Sequence, residues 1–588
     1  MTTLAGPQDR IAEHLRALYG EARIEELASR VHGLIESHLS ASRSETSPDL
    51  LTEHDAILIA YGDQISAEDE SPLVTLNKLL AERLSGIING VHILPFFPYS
   101  SDDGFSVIDY RQVDPALGTW DEVRNIAGNS RLMVDAVINH VSAESEWAEA
   151  FRRGAPEHDE TFIVVEPSVD LSDVVRPRDL PLLTPVETAT GLQHVWTTFS
   201  SDQFDLNFAN PDVLLEILDL LLFYVGKGAQ VIRLDAIAYL WKQVGTPSIN
   251  LPQTHQAIKL MRAVLDAAAP GTLLVTETNV PHEENLSYFG KSGDEADMIY
   301  QFALPPLILH TLISGDSSRL TEWAFDLRPP DDSVTFFNFL ASHDGIGLRP
   351  VVEILTAEEM EALVSIPARN GGEVSFRNLP DGGRSPYELN LTYLDALSDL
   401  QQTPPRTVER FLTAHAMMLA MPGVPGIYFH SLFGIRNDLD GVERTGRARS
   451  INRRKWELSS LLAELDDVKS EPHQIFEGLS SLLRTRAAHE VFNPWQGFEP
   501  IDVGPEVFAL VRGDPAGQHI LCLHEVAGKG SDIRSSAEFG SAIDLLTGES
   551  LDLSRIQMAP YQSRWIELEN VDWRLEDSNL QDHTRNLK

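Results

Sequence analysis

In the segment QVIRLDAIA, residues 230–238, one arginine and one aspartate interrupt a run of apolar and small side chains. In a strand, residues i and i+2 share a face, so Arg233 and Asp235 would emerge side by side. A buried ion pair is a poor source of stability, whereas a carboxylate kept ionised by a fixed cation is an effective covalent nucleophile. The segment alone leaves both readings open. Further along stand Glu277, in VTETN, and His343 and Asp344, in ASHDG. Two carboxyls about 5 Å apart, one an anion and one able to carry a proton, are what glycoside cleavage with retention requires. Arg233 is expected to lower the pKa of Asp235, because a neighbouring opposite charge favours the ionised form. Glu277 has no cation near it in sequence, which suits a raised pKa. Asp344 could bind sugar hydroxyls through charge-assisted hydrogen bonds, and His140 and His343 could donate to the same sugar.

These residues need a scaffold that brings distant segments to one place. Eight short apolar runs follow one another: AILIAYG, GVHILP, RLMVDAVIN, QVIRLDAIA, LLVTETN, ADMIYQF, TFFNFLASHD and GVPGIYF. Helical patterning lies between many of them, as over 76–86, 212–227 and 254–269. This alternation predicts an α/β fold, a (β/α)8 TIM barrel. Asp135, Asn139, His140, Asp235, Glu277, His343 and Asp344 stand at the C-terminal ends of the strands, the face that carries the active site in such barrels. The expected organisation has an N-terminal helical extension over 1–50 and barrel segments over 51–142, 201–344 and 406–487. An inserted domain is expected over 143–200, because that link is too long for a simple loop. A second insertion with an acceptor-site loop is expected over 345–405, and a small C-terminal β domain over 488–575. The final EDSNLQDHTRNLK is expected to be disordered.

Composition narrows the partners. With 88 Asp and Glu against 46 Lys and Arg, the net charge of the 588-residue chain is −42, which argues against nucleic acid or an anionic membrane surface. A phosphate-using enzyme would need local arginines against that background. The single cysteine, Cys522, rules out an internal disulfide and reads as a small core residue. Neither LDLLLFYV nor the proline-broken MMLAMPGVPGIYF is a convincing membrane span, and the first residues lack a signal-peptide pattern. A cytoplasmic protein, monomer or homodimer, is the expectation.

DAVINH, IRLDAIA, TETN and FLASHD, in that order, resemble the four short motifs of the α-amylase superfamily, glycoside hydrolase family 13. QFDLNFANP, with Gln203, Asp205 and Asn207, is similar to its further motif from the inserted domain. The resemblance implies Asp235 as nucleophile, Glu277 as general acid/base and Asp344 as transition-state stabiliser, with Arg233, His140 and His343 at the sugar. LPFFPYSSDDGFSVIDY, RPRDLP, PYELNLTYLDAL and SINR resemble the sucrose phosphorylase subfamily. By that resemblance Asp102, Phe105 and Arg449 close over a glucosyl unit, Arg178 and Tyr387 contact phosphate, and Tyr239 and Glu388 belong to the substrate-binding set. For Arg178 the alternative is a surface arginine, and Arg447, Arg453 and Arg454 read as a solvated basic run. Sucrose phosphorylases typically carry glutamine where this chain has Glu388. That difference, the segment FHSLFGIRNDLDGVERTGRARSINR and the helical extension resemble the branch that acts on α-glucosides of glycerol or glycerate. The implied activity is phosphorolysis of an α-glucoside to α-glucose 1-phosphate, with glycerol ahead of glycerate and fructose third as the released alcohol. Sucrose phosphorolysis and α-glucoside hydrolysis or transglucosylation with the same triad are the alternatives. The implied partners are the α-glucoside and inorganic phosphate, with no cofactor and no essential metal. Asn139, a calcium ligand in many amylases, is expected here to stabilise a loop.

Overall fold

The computed structural model describes residues 6–39, 51–178, 180–378, 383–398, 406–513, 517–534 and 541–568. All eight apolar runs form strands: β1 (Ile57–Ala60), β2 (Gly90–Ile93), β3 (Arg131–Ala136), β4 (Ala229–Leu234), β5 (Leu273–Thr276), β6 (Met298–Tyr300), β7 (Thr335–Asn338) and β8 (Val424–Tyr428). They pair in parallel and in chain order, and β8 closes on β1 through Leu58↔Ile427 and Ile59↔Tyr428. The strands read as continuous apolar runs because a parallel barrel strand is covered on both faces; every residue of β1, β2 and β7 is buried. The outer helices Pro211–Gly226 and Pro252–Ala268 each start on a proline, whose missing N–H is no loss in a first turn.

Register sets the site. Arg233 lies opposite Asp135 across β3/β4 and opposite Val275 across β4/β5. Two residues further on, Asp235 and Glu277 therefore leave adjacent strands at the same level of the C-terminal rim.

Two excursions rise above that rim. Between β3 and β4, His140–Ser142 pairs with Gln203–Asp205, and Leu183–Thr188 forms a hairpin with Gly191–Trp196. Between β7 and β8, Glu373–Asn378 and Arg384–Asn390 form a hairpin, and the short strand Ile346–Gly347 adds to its inner edge. Helices α1 (Pro7–Tyr19) and α2 (Ile24–Leu39) bury Ile11, Leu15, Leu27, Val31 and Ile35 against barrel helices. Arg10–Asp266 at 2.7 Å and His38–Asp219 at 2.8 Å fix their outer edges, and the Tyr19 hydroxyl donates to the Phe208 carbonyl at 2.8 Å. At the C-terminal end, Val507–Gly513, His519–Glu525 and Ser563–Leu568 belong to a six-stranded antiparallel sheet, with Cys522 buried within it. The final EDSNLQDHTRNLK lies outside the described residues. Among the described residues no helix is long and apolar enough to cross a membrane.

Candidate active site

After Leu234 the chain turns sharply. Ala236 adopts a left-handed conformation, φ 49°, and leads into the short helix Ile237–Tyr239. That conformation costs a residue with a Cβ roughly 1–2 kcal/mol, and here it aims the Ala236 N–H at Glu277 Oε2, 2.8 Å away. Beneath lies Arg233, 2% exposed. Its Nη1 donates to Asp135 and, at 2.8 Å, to Asp235 Oδ1, while Nη2 lies 3.9 Å from Glu277 Oε2. His92 Nε2–H donates to the second Asp135 oxygen at 2.7 Å. One guanidinium thus serves three carboxylates, with the Tyr300 ring 5.3 Å and the Phe105 ring 5.9 Å from it.

Arg233 lowers the Asp235 pKa as expected, but does not bring it below its usual value; the Glu277 pKa is raised as expected, although Arg233 stands near it in space. Burial is the largest effect and raises the Asp235 carboxyl; Glu277, Asp135 and Asp344 add to it, against Arg233. Burial also raises Glu277, opposed by Arg233 and by the Ala236 N–H. Asp135 takes the first share of the guanidinium: despite burial, Arg233 and His92 bring it down to about 2. Asp235 and Glu277 therefore titrate as one unit. The closer contact to Arg233 favours the negative charge on Asp235, leaving the proton with Glu277.

Above the pair, Asp344 is clamped by cations. Arg449 Nη1 pairs with Asp344, while its Nε and Nη2 grip Glu388 at 3.0 and 2.6 Å. The Gly345 N–H donates to the same Glu388 at 3.0 Å, and a Cβ on Gly345 would come within 2.5 Å of the Glu388 side chain and the Leu389 carbonyl. Burial opposes ionisation of Asp344, but Arg449, His343 and Arg453 outweigh it and hold the carboxyl well below its usual range. Arg453, expected in a solvated run, is 6% exposed and donates to the His343 carbonyl at 2.9 Å and to Asp103 at 2.6 Å. Arg178 Nη2 donates to Asp102 Oδ2 at 2.9 Å. Burial brings His343 down to about 3, so its ring is neutral at pH 7; it stacks on Phe105 with centroids 4.6 Å apart. His140 spends its Nε2–H on the Phe105 carbonyl at 2.8 Å, and its other nitrogen meets the Asn139 amide at 3.2 Å.

Asn139 Oδ1 and buried Asp205 both meet the Lys242 ammonium, at 2.6 and 2.8 Å. Asp205 also accepts from the Thr198 N–H at 3.0 Å. The ammonium ties the β3 end, the inserted segment and the loop after β4 together. Lys242 was not among the residues singled out in sequence.

One cavity gathers the predicted residues. Asp102, Phe105, His140, Arg178, Asp235, Tyr239, Glu277, His343, Asp344, Tyr387, Glu388 and Arg449 all line it, and Arg233 lies beneath. Phe199, Asn279 and Phe302 line it as well and were missed. Their loops show no periodicity that separates them from their neighbours.

Residues 85–325 match the α-amylase catalytic domain. The chain is 46% identical to a glucosylglycerate phosphorylase of Spirochaeta thermophila, over 95% of this chain and 98% of that protein. It is 47% identical to a glucosylglycerate phosphorylase of Allomeiothermus silvanus, with the same shares covered. The chain belongs to the α-amylase family, glycoside hydrolase family 13. Among solved structures, a sucrose 6F-phosphate phosphorylase from Thermoanaerobacter thermosaccharolyticum superposes with a TM-score of 0.72 at 24% identity, covering 87% of this chain and 100% of that one; this is a likeness of fold. The four family motifs fall at the ends of β3, β4, β5 and β7, and the inserted-domain motif at the strand Gln203–Asp205.

Proposed function

We propose that the protein is a retaining α-glucoside phosphorylase that releases glycerate from glucosylglycerate. In the first step, an Asp235 oxygen attacks the anomeric carbon while Glu277 gives its proton to the departing oxygen. The glycosidic bond breaks, a glucosyl ester forms on Asp235, and the hydroxy acid leaves. In the second step, a phosphate oxygen attacks the same carbon, Glu277 takes up the proton and Asp235 leaves as a carboxylate. Two inversions retain the α configuration and yield α-glucose 1-phosphate.

The other roles are assigned on position. Asp344, fixed by Arg449, is suited to hold sugar hydroxyls as positive charge develops on the ring, with Asp102, Phe105, His140 and His343 around the glucosyl unit. Arg178 and Tyr387, on the cavity wall, are suited to receive phosphate, and Tyr239 and Glu388 complete the acceptor side. Asn139, held by Lys242, fixes the loop rather than the substrate.

The observation that carries the phosphorylase reading is identity of 46 and 47% along nearly the whole chain to two glucosylglycerate phosphorylases. It also reverses the expected order of acceptors and puts glycerate ahead of glycerol. Turnover of a charged compatible solute in the cytoplasm is the setting we propose. The test runs in the synthetic direction: α-glucose 1-phosphate with glycerate, glycerol, fructose or no acceptor, following phosphate release. Release that depends on glycerate is the expected result. Equal release with and without acceptor would make the protein a hydrolase.

A further inference from the structure

Behind the cavity residues Tyr239 and Tyr387 stand two cations, Arg349 and Arg377, with no carboxylate partner among the described residues. Arg349 opens the turn Arg349–Val351, directly after the strand Ile346–Gly347, and is 7% exposed. Its guanidinium stands near enough to the Tyr239 hydroxyl to lower its pKa against burial, yet Nη1 is buried without a hydrogen-bond partner. Arg377 stands on the hairpin strand Glu373–Asn378, opposite Ser385, and its Nε is likewise buried and unpartnered. Among the described residues neither arginine has a carboxylate within 4.0 Å. The arginines that line the cavity or lie beneath it differ: Arg178, Arg233 and Arg449 each meet at least one, as does Arg453 beside His343. In a chain of net charge −42, acids are not scarce, so a buried and a half-buried arginine with no carboxylate among the described residues point to an anion that the protein does not itself supply.

The pair adjoins the reacting centre. Tyr239, near Arg349, and Tyr387, near Arg377, both line the cavity with Asn279. The Leu348 N–H donates to the Tyr387 carbonyl at 3.0 Å, which pins the Arg349 turn to the strand that carries Tyr387. A Cβ on Gly347 would come within 2.8 Å of the Asn279 amide, so glycine there lets the turn approach the cavity wall. Burial first, and then Arg349, lowers the Arg377 pKa: the two cations are close enough to repel each other, and an anion would relieve that repulsion. Both phenols are pushed up, chiefly by burial, and stay neutral hydrogen-bond donors at pH 7.

We infer that Arg349 and Arg377, with the Tyr239 and Tyr387 hydroxyls, form the subsite for the carboxylate of the released hydroxy acid. The pair thereby selects an acid over a neutral polyol of the same size. The inference rests on the phosphorolysis reading above and deepens it. Two guanidinium groups match a carboxylate well, and their buried nitrogens, Arg349 Nη1 and Arg377 Nε, stay unpaired with a neutral alcohol that cannot bond them. This is discrimination by buried polar groups left unpaired with the wrong ligand.

The experiment compares glycerate with glycerol as acceptors from α-glucose 1-phosphate in the wild type and in Arg377→Gln, Arg377→Lys and Arg349→Gln. The expected result is that the glycerate/glycerol ratio of kcat/KM falls about 100-fold in either glutamine variant, mainly through KM for glycerate, with partial recovery in Arg377→Lys. Arg377, half-buried on a hairpin, gives a variant that folds even where loss of buried Arg349 is not tolerated. If both acceptors decline in step, or if the ratio holds, the assignment is overturned. A rise in KM for phosphate during phosphorolysis, with KM for glycerate unchanged, also overturns it and gives the pair to phosphate. If the wild type ignores glycerate altogether, the phosphorolysis reading itself has failed.

Discussion

The cavity floor and its acceptor wall are built on opposite electrostatic rules. On the floor, Arg233 is surrounded by Asp135, Asp235 and Glu277, and Asp344 is clamped by Arg449. Acids there outnumber the cations that serve them, and one proton is left to be shared. On the wall, Arg349 and Arg377 have no carboxylate within 4.0 Å among the described residues, and their surplus charge waits for a ligand. The floor is complete without substrate, as preorganised stabilisation of a developing charge requires. The wall is completed only by the right acceptor, as specificity requires. Chemistry and selectivity are thus separable within one cavity.

The largest expected effect tests the floor. Asp235→Asn should lower turnover at least about 10⁴-fold, since an amide supplies no nucleophilic anion; formation of α-glucose 1-phosphate from glucosylglycerate and phosphate measures it. Glu277→Gln should cost about 10²–10⁴-fold with an alcohol leaving group and much less with α-glucosyl fluoride, which leaves without a proton. Equal losses on the two substrates would break the division of labour between the carboxyls.

A third prediction concerns pH. Glu277 must be protonated to act as the acid, and its pKa is raised, so the first step should be lost as pH climbs through that raised value. Asp344 raises Glu277 and Arg449 lowers it. Residual kcat/KM of Asp344→Asn should accordingly lose its alkaline limb at lower pH than the wild type, and that of Arg449→Met at higher pH.

Two smaller effects mark what supports the site. Lys242→Met leaves buried Asp205 without its cation and should destabilise the fold by about 3–5 kcal/mol, read as a drop in thermal midpoint. Tyr19→Phe loses one hydrogen bond, to Phe208, and should cost only about 1 kcal/mol, with the glycerate/glycerol ratio unmoved.

The same division governs what could be read from the sequence. The barrel strands were legible because burial on both faces leaves an uninterrupted apolar run, and the floor residues were legible because they sit at fixed offsets from the ends of those runs. Glu277 follows β5 directly, and Asp235 follows β4. The sharing of Arg233 among three carboxylates was not legible, since it depends on the register of β3 and β5 against β4. Arg377 and Arg349 lie 28 residues apart in an excursion of turns and a bulged hairpin, where no periodicity says which side chain faces inward. Arg453 was misplaced for the same reason: in ARSINRRK the adjacent Arg453 and Arg454 are buried and exposed respectively, and only the fold decides which.

The most direct measurement of the central claim is a trapping experiment. Glu277→Gln incubated with α-glucosyl fluoride, then digested and analysed by mass spectrometry, should carry one hexosyl unit on the peptide containing Asp235, and inorganic phosphate should discharge it as α-glucose 1-phosphate. A hexosyl unit on any other residue, or discharge by water at the same rate with and without phosphate, would contradict the account.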